Sequence, residues 1–242
     1  MTWIAAALFA VHALAADPSA TELLAEADKH MTFDSRSSTM SMTVDKTKRS
    51  KTYSMQSFSR GADETAIEFI EPVRDKGTKM LKKADELWMW LPAVERKQRI
   101  SGHMLRKGLM GSDFSYEDLM EANDLSSLYD ATVQGSESKD GYDCWKLELT
   151  AKDESITYTR RVMWLDKATA IPVRQELYAL SGMMVKVWTM GDIQTIDGHN
   201  TALTMTAEDK LTGGSSTTIT LSDVRYSVEL PEEVFSQLWL ER

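Results

Sequence analysis

The most constraining feature of this sequence is a two-residue alternation of apolar and polar side chains that recurs along most of the chain. Near the start, Met40, Met42 and Val44 alternate with Ser41 and Thr43. The pattern returns in eight further short runs, most of them bounded by Gly, Asp, Asn or Ser. Such alternation is typical of half-buried strands, and hairpin-length links favour antiparallel pairing. The sequence therefore predicts an antiparallel sheet of about ten or eleven strands.

Helices are predicted at both ends of the domain. Ser19 and Glu22 have the spacing of a capping box, which predicts a helix start. The apolar stripe of this helix comprises Leu23, Leu24, Ala27 and Met31. A second helix is predicted from Pro231, because a proline followed by acidic residues is typical of a first helical turn. We expect this helix to dock through Val234, Phe235 and Leu238.

Residues 101–127 interrupt the strand pattern. They contain three glycines and no two-residue alternation, and residues 116–125 are compatible with one short helix. A long insertion in a β protein is commonly a functional loop or lid. A glycine pair later in the chain, Gly213-Gly214, instead predicts a hairpin tip between two strands.

Composition narrows the class of protein. The chain has 242 residues, a net charge of −9, 42% hydrophobic and 27% charged residues, and no linker or repeat, which favours one globular domain. The single cysteine, Cys144, excludes an internal disulfide and any multi-cysteine metal site, and we interpret it as a small buried apolar group. The acidic balance argues against nucleic acid as a partner.

The N-terminus has the pattern of a signal peptide. An uncharged, mostly apolar run ends in Ala13-Leu14-Ala15, a small-x-small cleavage pattern. We therefore predict a signal peptide at residues 1–15, a mature domain at 16–242, and a periplasmic location. The alternative interpretation is a buried N-terminal helix.

No catalytic or metal-binding motif stands out. His30, His103 and His199 lack metal-ligand spacing, and no nucleophile elbow, phosphate loop or dinucleotide fingerprint occurs. We predict no enzyme activity, no cofactor and no metal. A hydrolase with an unrecognised pair of carboxylates is kept as an alternative.

The methionine and tryptophan residues of this chain indicate where an apolar molecule could bind. There are 15 Met and seven Trp, and Met is favoured where a surface adapts to variable apolar partners. Residues 87–91 are all large and apolar, so this strand either lines an apolar cavity on one face or is a central strand with a helix packed on one side. The candidate residues for a cavity wall are Met42, Met55, Phe69, Met80, Trp88, Trp90, Trp145 and Trp164.

A basic stretch follows the tryptophan-rich strand. Its residues are Arg96, Lys97, Arg99, Arg106 and Lys107. One interpretation is a docking face for lipid phosphate or an acidic partner. The other is a solvated edge strand whose charges prevent edge-to-edge pairing.

Three motifs together resemble one known family. They are Trp88-x-Trp90-Leu91-Pro92, Arg99-Ile100-Ser101-Gly102 and the run from Met110 to Leu119, which contains Gly-Ser-Asp-Phe-Ser-Tyr-Glu-Asp. With the helix after the signal and the C-terminal ending, they make residues 20–242 similar to the LolA-like outer-membrane lipoprotein-sorting family.

This resemblance implies a mainly β fold with a few helices: one unclosed antiparallel β-barrel, with helices covering a concave apolar face. It implies a monomeric periplasmic carrier of a lipid or an acylated lipoprotein, with an inner-membrane ABC or RND-type exporter and an outer-membrane acceptor as partners. It supplies no catalytic residue. A non-transport adaptor that docks on such an exporter is the alternative function.

The loop motif is interpreted from its residue types. Gly111 frees the backbone beside Ser112, and Asp113 or Ser115 could cap the helix that starts at Tyr116. Asp118 stands three residues after Ser115, as in a capping box. Phe114, an aromatic residue in the loop, is expected either to plug the cavity or to anchor the loop.

Overall fold

The computed structural model describes residues 17–30, 32–121, 125–211 and 213–242. Within these residues, thirteen strands form one antiparallel sheet that is not closed into a barrel. The strands are β1 Arg36–Lys46, β2 Arg49–Arg60, β3 Glu64–Glu71, β4 Lys79–Lys83, β5 Glu86–Leu91, β6 Arg96–Ile100, β7 Tyr129–Lys139, β8 Tyr142–Ala151, β9 Arg160–Asp166, β10 Pro172–Tyr178, β11 Met184–Ile196, β12 His199–Asp209 and β13 Ser215–Tyr226.

The order of the strands dictates the path of the chain across the sheet. From one edge to the other the order is β6-β5-β4-β3-β2-β1-β13-β12-β11-β10-β9-β8-β7. Strands β6 and β7 are consecutive in sequence, yet they form the two opposite edges. The described residues between these two strands, 101–121 and 125–128, are called the crossing segment, and they pack on one face of the sheet.

Four α-helices accompany the described part of the sheet: α1 Ala20–Lys29, α2 Tyr116–Glu121, α3 Leu125–Leu128 and α4 Gln237–Leu240. The predicted capping box of α1 is confirmed, since the backbone N–H of Glu22 donates to Ser19 Oγ at 3.2 Å and the N–H of Ser19 donates to Glu22 Oε2 at 2.9 Å. The predicted signal peptide and Met31 lie outside the described residues.

The two faces of the sheet are covered by different elements. The inner face carries α1, α3 and the crossing segment, which pack on two apolar clusters. The outer face of β2 to β5 carries the C-terminal residues, where Val234, Phe235, Trp239 and Leu240 are buried. The structure thus confirms the predicted mainly β fold with helices on one face, and adds a short cover on the other.

The C-terminal cover differs in detail from the predicted helix. A 3₁₀ turn, Glu232–Phe235, precedes α4, and it is this turn that buries Val234 and Phe235. Leu238 was expected to dock but is 61% exposed. It lies in α4 beside Trp239, which faces the sheet instead.

Strands β4, β6 and β7 were not among the predicted runs. Strand β4 is buried along most of its length, and β7 is mostly exposed, so neither shows a clean alternation. Strand β6 contains Arg96, Lys97 and Arg99 and is an edge strand, as the second interpretation of the basic stretch required.

No helix among the described residues is long and apolar enough to cross a membrane.

Candidate functional site

The inner face beneath the crossing segment is rich in methionine. Its apolar cluster draws on strands β1 to β6, β10 to β13 and the crossing segment itself. Nine methionines belong to it: Met40, Met42, Met55, Met80, Met89, Met104, Met110, Met120 and Met205. Because Met side chains are flexible and polarizable, such a surface can repack around apolar molecules of different shapes.

Side chains of the crossing segment fill this face in the structure. Leu109, Phe114 and Tyr116 are all less than 10% exposed and belong to the same cluster. The Phe114 ring lies 6.0 Å from the Trp188 ring on β11. An apolar molecule could reach the inner face only if these side chains moved aside.

A first polar contact ties the crossing segment to β13. The hydroxyl groups of Thr217 and Ser215 donate to the two carboxylate oxygens of Asp113 at 2.7 and 2.6 Å. The backbone N–H of Asp113 also donates to Thr217 Oγ1 at 2.9 Å. Asp113 thus anchors the tip of the segment to the sheet and does not cap α2.

The tip can approach the sheet because its backbone turns tightly. Gly111 has φ +80° and Met110 has φ +50°, both in the left-handed region. A Cβ atom on Gly108 would lie 2.2 Å from the carbonyl oxygen of Ser112, so only glycine fits there.

A second polar contact centres on Asp118 in α2. The N–H of Ser115 donates to Asp118 Oδ2 at 2.7 Å, and the N–H of Asp118 donates to Ser115 Oγ at 3.1 Å, which confirms the predicted capping box. The same carboxylate accepts hydrogen bonds from Lys186 Nζ at 2.7 Å and from the Tyr158 hydroxyl at 2.9 Å. Burial and the Asp118 carboxylate raise the pKa of Tyr158, so that hydroxyl remains a donor.

A third polar contact joins Glu121 to Arg161 on β9. Arg161 Nη2 donates to Glu121 Oε2 at 3.0 Å, and the Arg161 side chain is only 3% exposed. Burial raises the pKa of Glu121 to about 7, although Arg161 acts in the opposite direction. The Arg161 guanidinium also donates to the Tyr129 hydroxyl at 2.9 Å.

Three buried side-chain polar atoms among the described residues lack a hydrogen-bond partner: Ser38 Oγ, Gln175 Oε1 and Trp188 Nε1. Gln175 and Trp188 are opposite each other across β10 and β11. Because buried polar groups are nearly always paired, these atoms are free to bond to a ligand or a water molecule.

A polar cleft opens beside the tip of the crossing segment. Its volume is about 450 Å³, and its walls include Lys46, Arg106, Lys186, Asp113 and Gly213. Two of its cations, Lys46 and Arg106, have no carboxylate within 4.0 Å among the described residues. Within that same part of the chain, no three His, Cys, Asp or Glu side chains group as a metal site would require.

Solved structures of known proteins share this architecture. A DUF1329 family protein from Desulfovibrio piger is 31% identical, with a TM-score of 0.85 and coverage of 91% of this chain and 97% of that one. A domain named for outer membrane lipoprotein sorting, from Vibrio parahaemolyticus, is 30% identical, with a TM-score of 0.83 and coverage of 92% and 98%. The chain belongs to the LolA-like lipoprotein-sorting family.

Further comparisons agree with this membership. A LolA superfamily protein from Nitrosomonas europaea is 26% identical to the LolA-like chain, with a TM-score of 0.75 and coverage of 92% and 99%. A family model described only as "uncharacterized protein" matches residues 61–242. No curated protein matches the sequence significantly.

The LolA-like sheet separates the predicted wall residues into two groups. Met42, Met55, Phe69 and Met80 lie together in the inner cluster, under the crossing segment. Trp145 also faces inward, in the second cluster beneath α1 and α3.

Three of the tryptophans face the other way. Trp88 and Trp90 pack against the C-terminal cover on the outer face, as a strand with a helix on one side would require. Trp164 packs with Cys144 on the outer face of β8 to β10. This corrects their assignment to a cavity wall, because neighbouring residues of a strand point to opposite faces. The cysteine is fully buried, and burial raises its pKa to about 11, which fits the interpretation of Cys144 as a small apolar group.

The structure also divides the predicted docking face. Lys97 pairs with Glu241 at 2.5 Å and Arg99 with Glu86 at 3.1 Å. The other three residues are exposed and have no ion pair within the described part of the chain: Arg96, Arg106 and Lys107.

The sequence interpretation missed the sheet residues that receive the crossing segment. Thr217, Lys186 and Arg161 lie on three different strands, each at least 40 positions away in sequence from its partner in the segment. The only local signal was a charged residue within an apolar run, as at Arg161 beside Val162 and Met163. A motif read along one segment does not reveal such long-range partners.

Proposed function

We propose that this LolA-like chain is a periplasmic carrier that binds an acyl chain or another lipid-like molecule and passes it between the membranes of the envelope. The cargo is a lipid or an acylated lipoprotein, and the protein itself performs no catalysis. The observation that supports this proposal is the methionine-rich inner face. It is covered by the crossing segment, which a small number of polar contacts hold in place.

The affinity expected for such a site suits a carrier. Burying about ten methylene groups contributes roughly 8 kcal/mol, which corresponds to micromolar affinity before ordering costs. Part of this free energy is needed to displace Phe114 and the other side chains that fill the face. Since each tenfold step in affinity is about 1.4 kcal/mol, modest differences between donor, carrier and acceptor suffice to give transfer a direction.

The polar atoms of the inner face favour a cargo with a polar linkage. Trp188 Nε1 can donate to a carbonyl oxygen, and Gln175 Oε1 can accept from an N–H or O–H group. An ester or amide that joins an acyl chain to its head supplies such atoms. The nearby Arg161 guanidinium adds positive charge at 5.7 Å from the Trp188 ring.

One observation favours a second candidate function. The inner face is already filled by Leu109, Phe114 and Tyr116, as it would be in a protein that never binds cargo. The chain would then be an adaptor that docks on an ABC or RND-type exporter. The two functions differ in whether the crossing segment leaves the sheet.

The direct test is native mass spectrometry with lipid extraction, on the full protein produced in and purified from its own envelope. The carrier function predicts stoichiometric lipid or acylated peptide, or binding of added fatty acid by the apo protein. If neither endogenous nor added acyl chains bind, the adaptor function replaces it.

A further inference from the structure

Six links between strands emerge at one end of the sheet, which we call the rim. Their described residues are 47–48, 72–78, 92–95, 152–159, 179–183, 210–211 and 213–214. Two contacts tie neighbouring parts of the rim together: Lys51, near the start of β2, pairs with Asp75 at 2.7 Å, and the Thr47 hydroxyl donates to the carbonyl of Gly214 at 3.4 Å. The links lie at the ends of adjoining strands, so together they form one side of the molecule.

The rim carries most of the exposed large apolar side chains. Seven such side chains occur in the described residues, and five are at the tips of rim links: Val73, Val94, Leu180, Met183 and Leu211. Exposed apolar residues at the ends of projecting turns are in a position to enter an apolar phase without any change in the fold.

The rim also concentrates the unpaired positive charge. Among the described residues, ten exposed Lys and Arg side chains have no carboxylate within 4.0 Å, and eight of these lie at the rim or on the crossing segment beside it. These eight are Lys46, Lys48, Arg49, Arg74, Lys76, Arg96, Arg106 and Lys107. The remaining two, Arg225 and Arg242, lie elsewhere.

We propose that the rim docks on a membrane surface whose lipids carry anionic phosphate headgroups. Apolar tips close to unpaired cations, such as Val73 next to Arg74 and Val94 two residues before Arg96, suit the boundary between acyl chains and headgroups. The net charge of −9 repels such a membrane from the rest of the molecule, so the charge distribution selects this orientation.

This inference rests on the proposed function, because it places the point of cargo exchange. The polar cleft with Lys46 and Arg106 opens at the rim, next to the Asp113 contact that holds the crossing segment. A headgroup phosphate entering the cleft would meet two unpaired cations. An acyl chain behind it would reach the inner face where the tip of the segment leaves the sheet.

The test is flotation of the full-length protein with two kinds of vesicle: phosphatidylcholine alone, and phosphatidylcholine mixed with phosphatidylglycerol. The rim variant is Lys48→Glu/Lys76→Glu, and the matched control is Arg225→Glu/Arg242→Glu, which changes the net charge equally at exposed, unpaired cations. A second pair isolates the apolar tips: Leu211→Ser is compared with Leu238→Ser, whose side chains are 59% and 61% exposed.

We expect wild type to bind the anionic vesicles, less at high salt, and both rim variants to bind them more weakly than their controls. The charge-reversed rim variant should lose at least about tenfold in partition. Equal binding by rim and control variants, or no preference of wild type for anionic vesicles, overturns the inference and assigns the rim to a protein partner. If the protein binds fatty acid normally in solution, the carrier function holds whether or not the rim docks on a membrane. Failure of membrane docking can therefore be distinguished from failure of the carrier function.

Discussion

At the residue scale, the acids of α2 control how firmly the crossing segment is held. The Asp118 carboxylate accepts hydrogen bonds from the Ser115 N–H, the Tyr158 hydroxyl and the Lys186 ammonium group, and its side chain is 4% exposed. Removing one member of a buried ion pair costs about 3–5 kcal/mol, because the other charge remains buried. Glu121 differs, since burial outweighs its attraction to Arg161 and raises its pKa to about 7.

This raised pKa predicts a pH dependence of stability. The pKa of Glu121 is above its ordinary value of 4.5, so the stability that its protonated form contributes is present below pH 4.5 and lost as pH rises through 7. In urea titrations between pH 5 and 8, the free energy of unfolding of wild type should fall relative to Glu121→Gln, by at most about 1.4 kcal/mol per pH unit.

Comparing wild type with Glu121→Gln cancels the contribution that other groups titrating in this range make to the free energy of unfolding. Burial lowers the pKa of His30, which contributes stability in the opposite sense, and it does so equally in both proteins. Parallel pH profiles for the two proteins would show that Glu121 ionises normally in the fold.

At the scale of elements, the two covers of the sheet have separate roles. Trp239 of the C-terminal cover is 8% exposed, Lys79 Nζ lies 4.6 Å from its ring, and the same Nζ donates to the Trp239 carbonyl at 3.0 Å. This cover packs on the outer face, and its buried side chains belong to a different cluster from the methionines. We expect it to stabilise the sheet, and we expect the crossing segment to control access to the inner face.

Trp239→Ala therefore separates stability from binding. We expect a loss of about 3–5 kcal/mol in the free energy of unfolding, because a large buried side chain is removed. Leu238→Ala, one position away and exposed, should change it by less than about 0.5 kcal/mol. Urea denaturation measures both values. Fatty-acid binding by the folded Trp239→Ala variant should match wild type, and a selective loss of binding would place the site on the outer face.

At the scale of the whole molecule, the sequence predicts the antiparallel sheet but not what covers each face. Alternation marks residues such as Met42 and Met55 as pointing to one side, since the period of a strand is local information. The run Leu87–Leu91 is apolar on both sides, so its inward face cannot be chosen from the sequence. That choice depends on α4 and the crossing segment, which reach β5 from distant parts of the chain.

In the candidate site too, local contacts could be predicted from the sequence and long-range contacts could not. The local capping box of Ser115 and Asp118 was predictable, because both partners lie within one turn. The contact between Asp113 and Thr217 was not, because it joins positions 104 residues apart. The proposed entry of cargo depends on this second contact, because the carrier function requires the tip of the crossing segment to leave β13.

This requirement can be tested by measuring the uptake of a fluorescent fatty acid by a variant in which the crossing segment is tethered to the sheet. Asp113→Cys/Thr217→Cys places thiols on two side chains that are in contact, since Thr217 Oγ1 lies 2.7 Å from Asp113 Oδ2. The native Cys144 is fully buried on the outer face, so it should not compete for the disulfide. The control, Thr206→Cys/Thr218→Cys, bridges β12 and β13 on the outer face, where the two threonine Oγ1 atoms are 3.0 Å apart.

We expect the oxidised Asp113→Cys/Thr217→Cys variant to take up no fatty acid, reduction to restore uptake, and the control to bind equally in both states. Equal uptake by the oxidised and reduced forms of the tethered variant would disprove this mechanism, because the inner face would then be reached without moving the tip of the crossing segment.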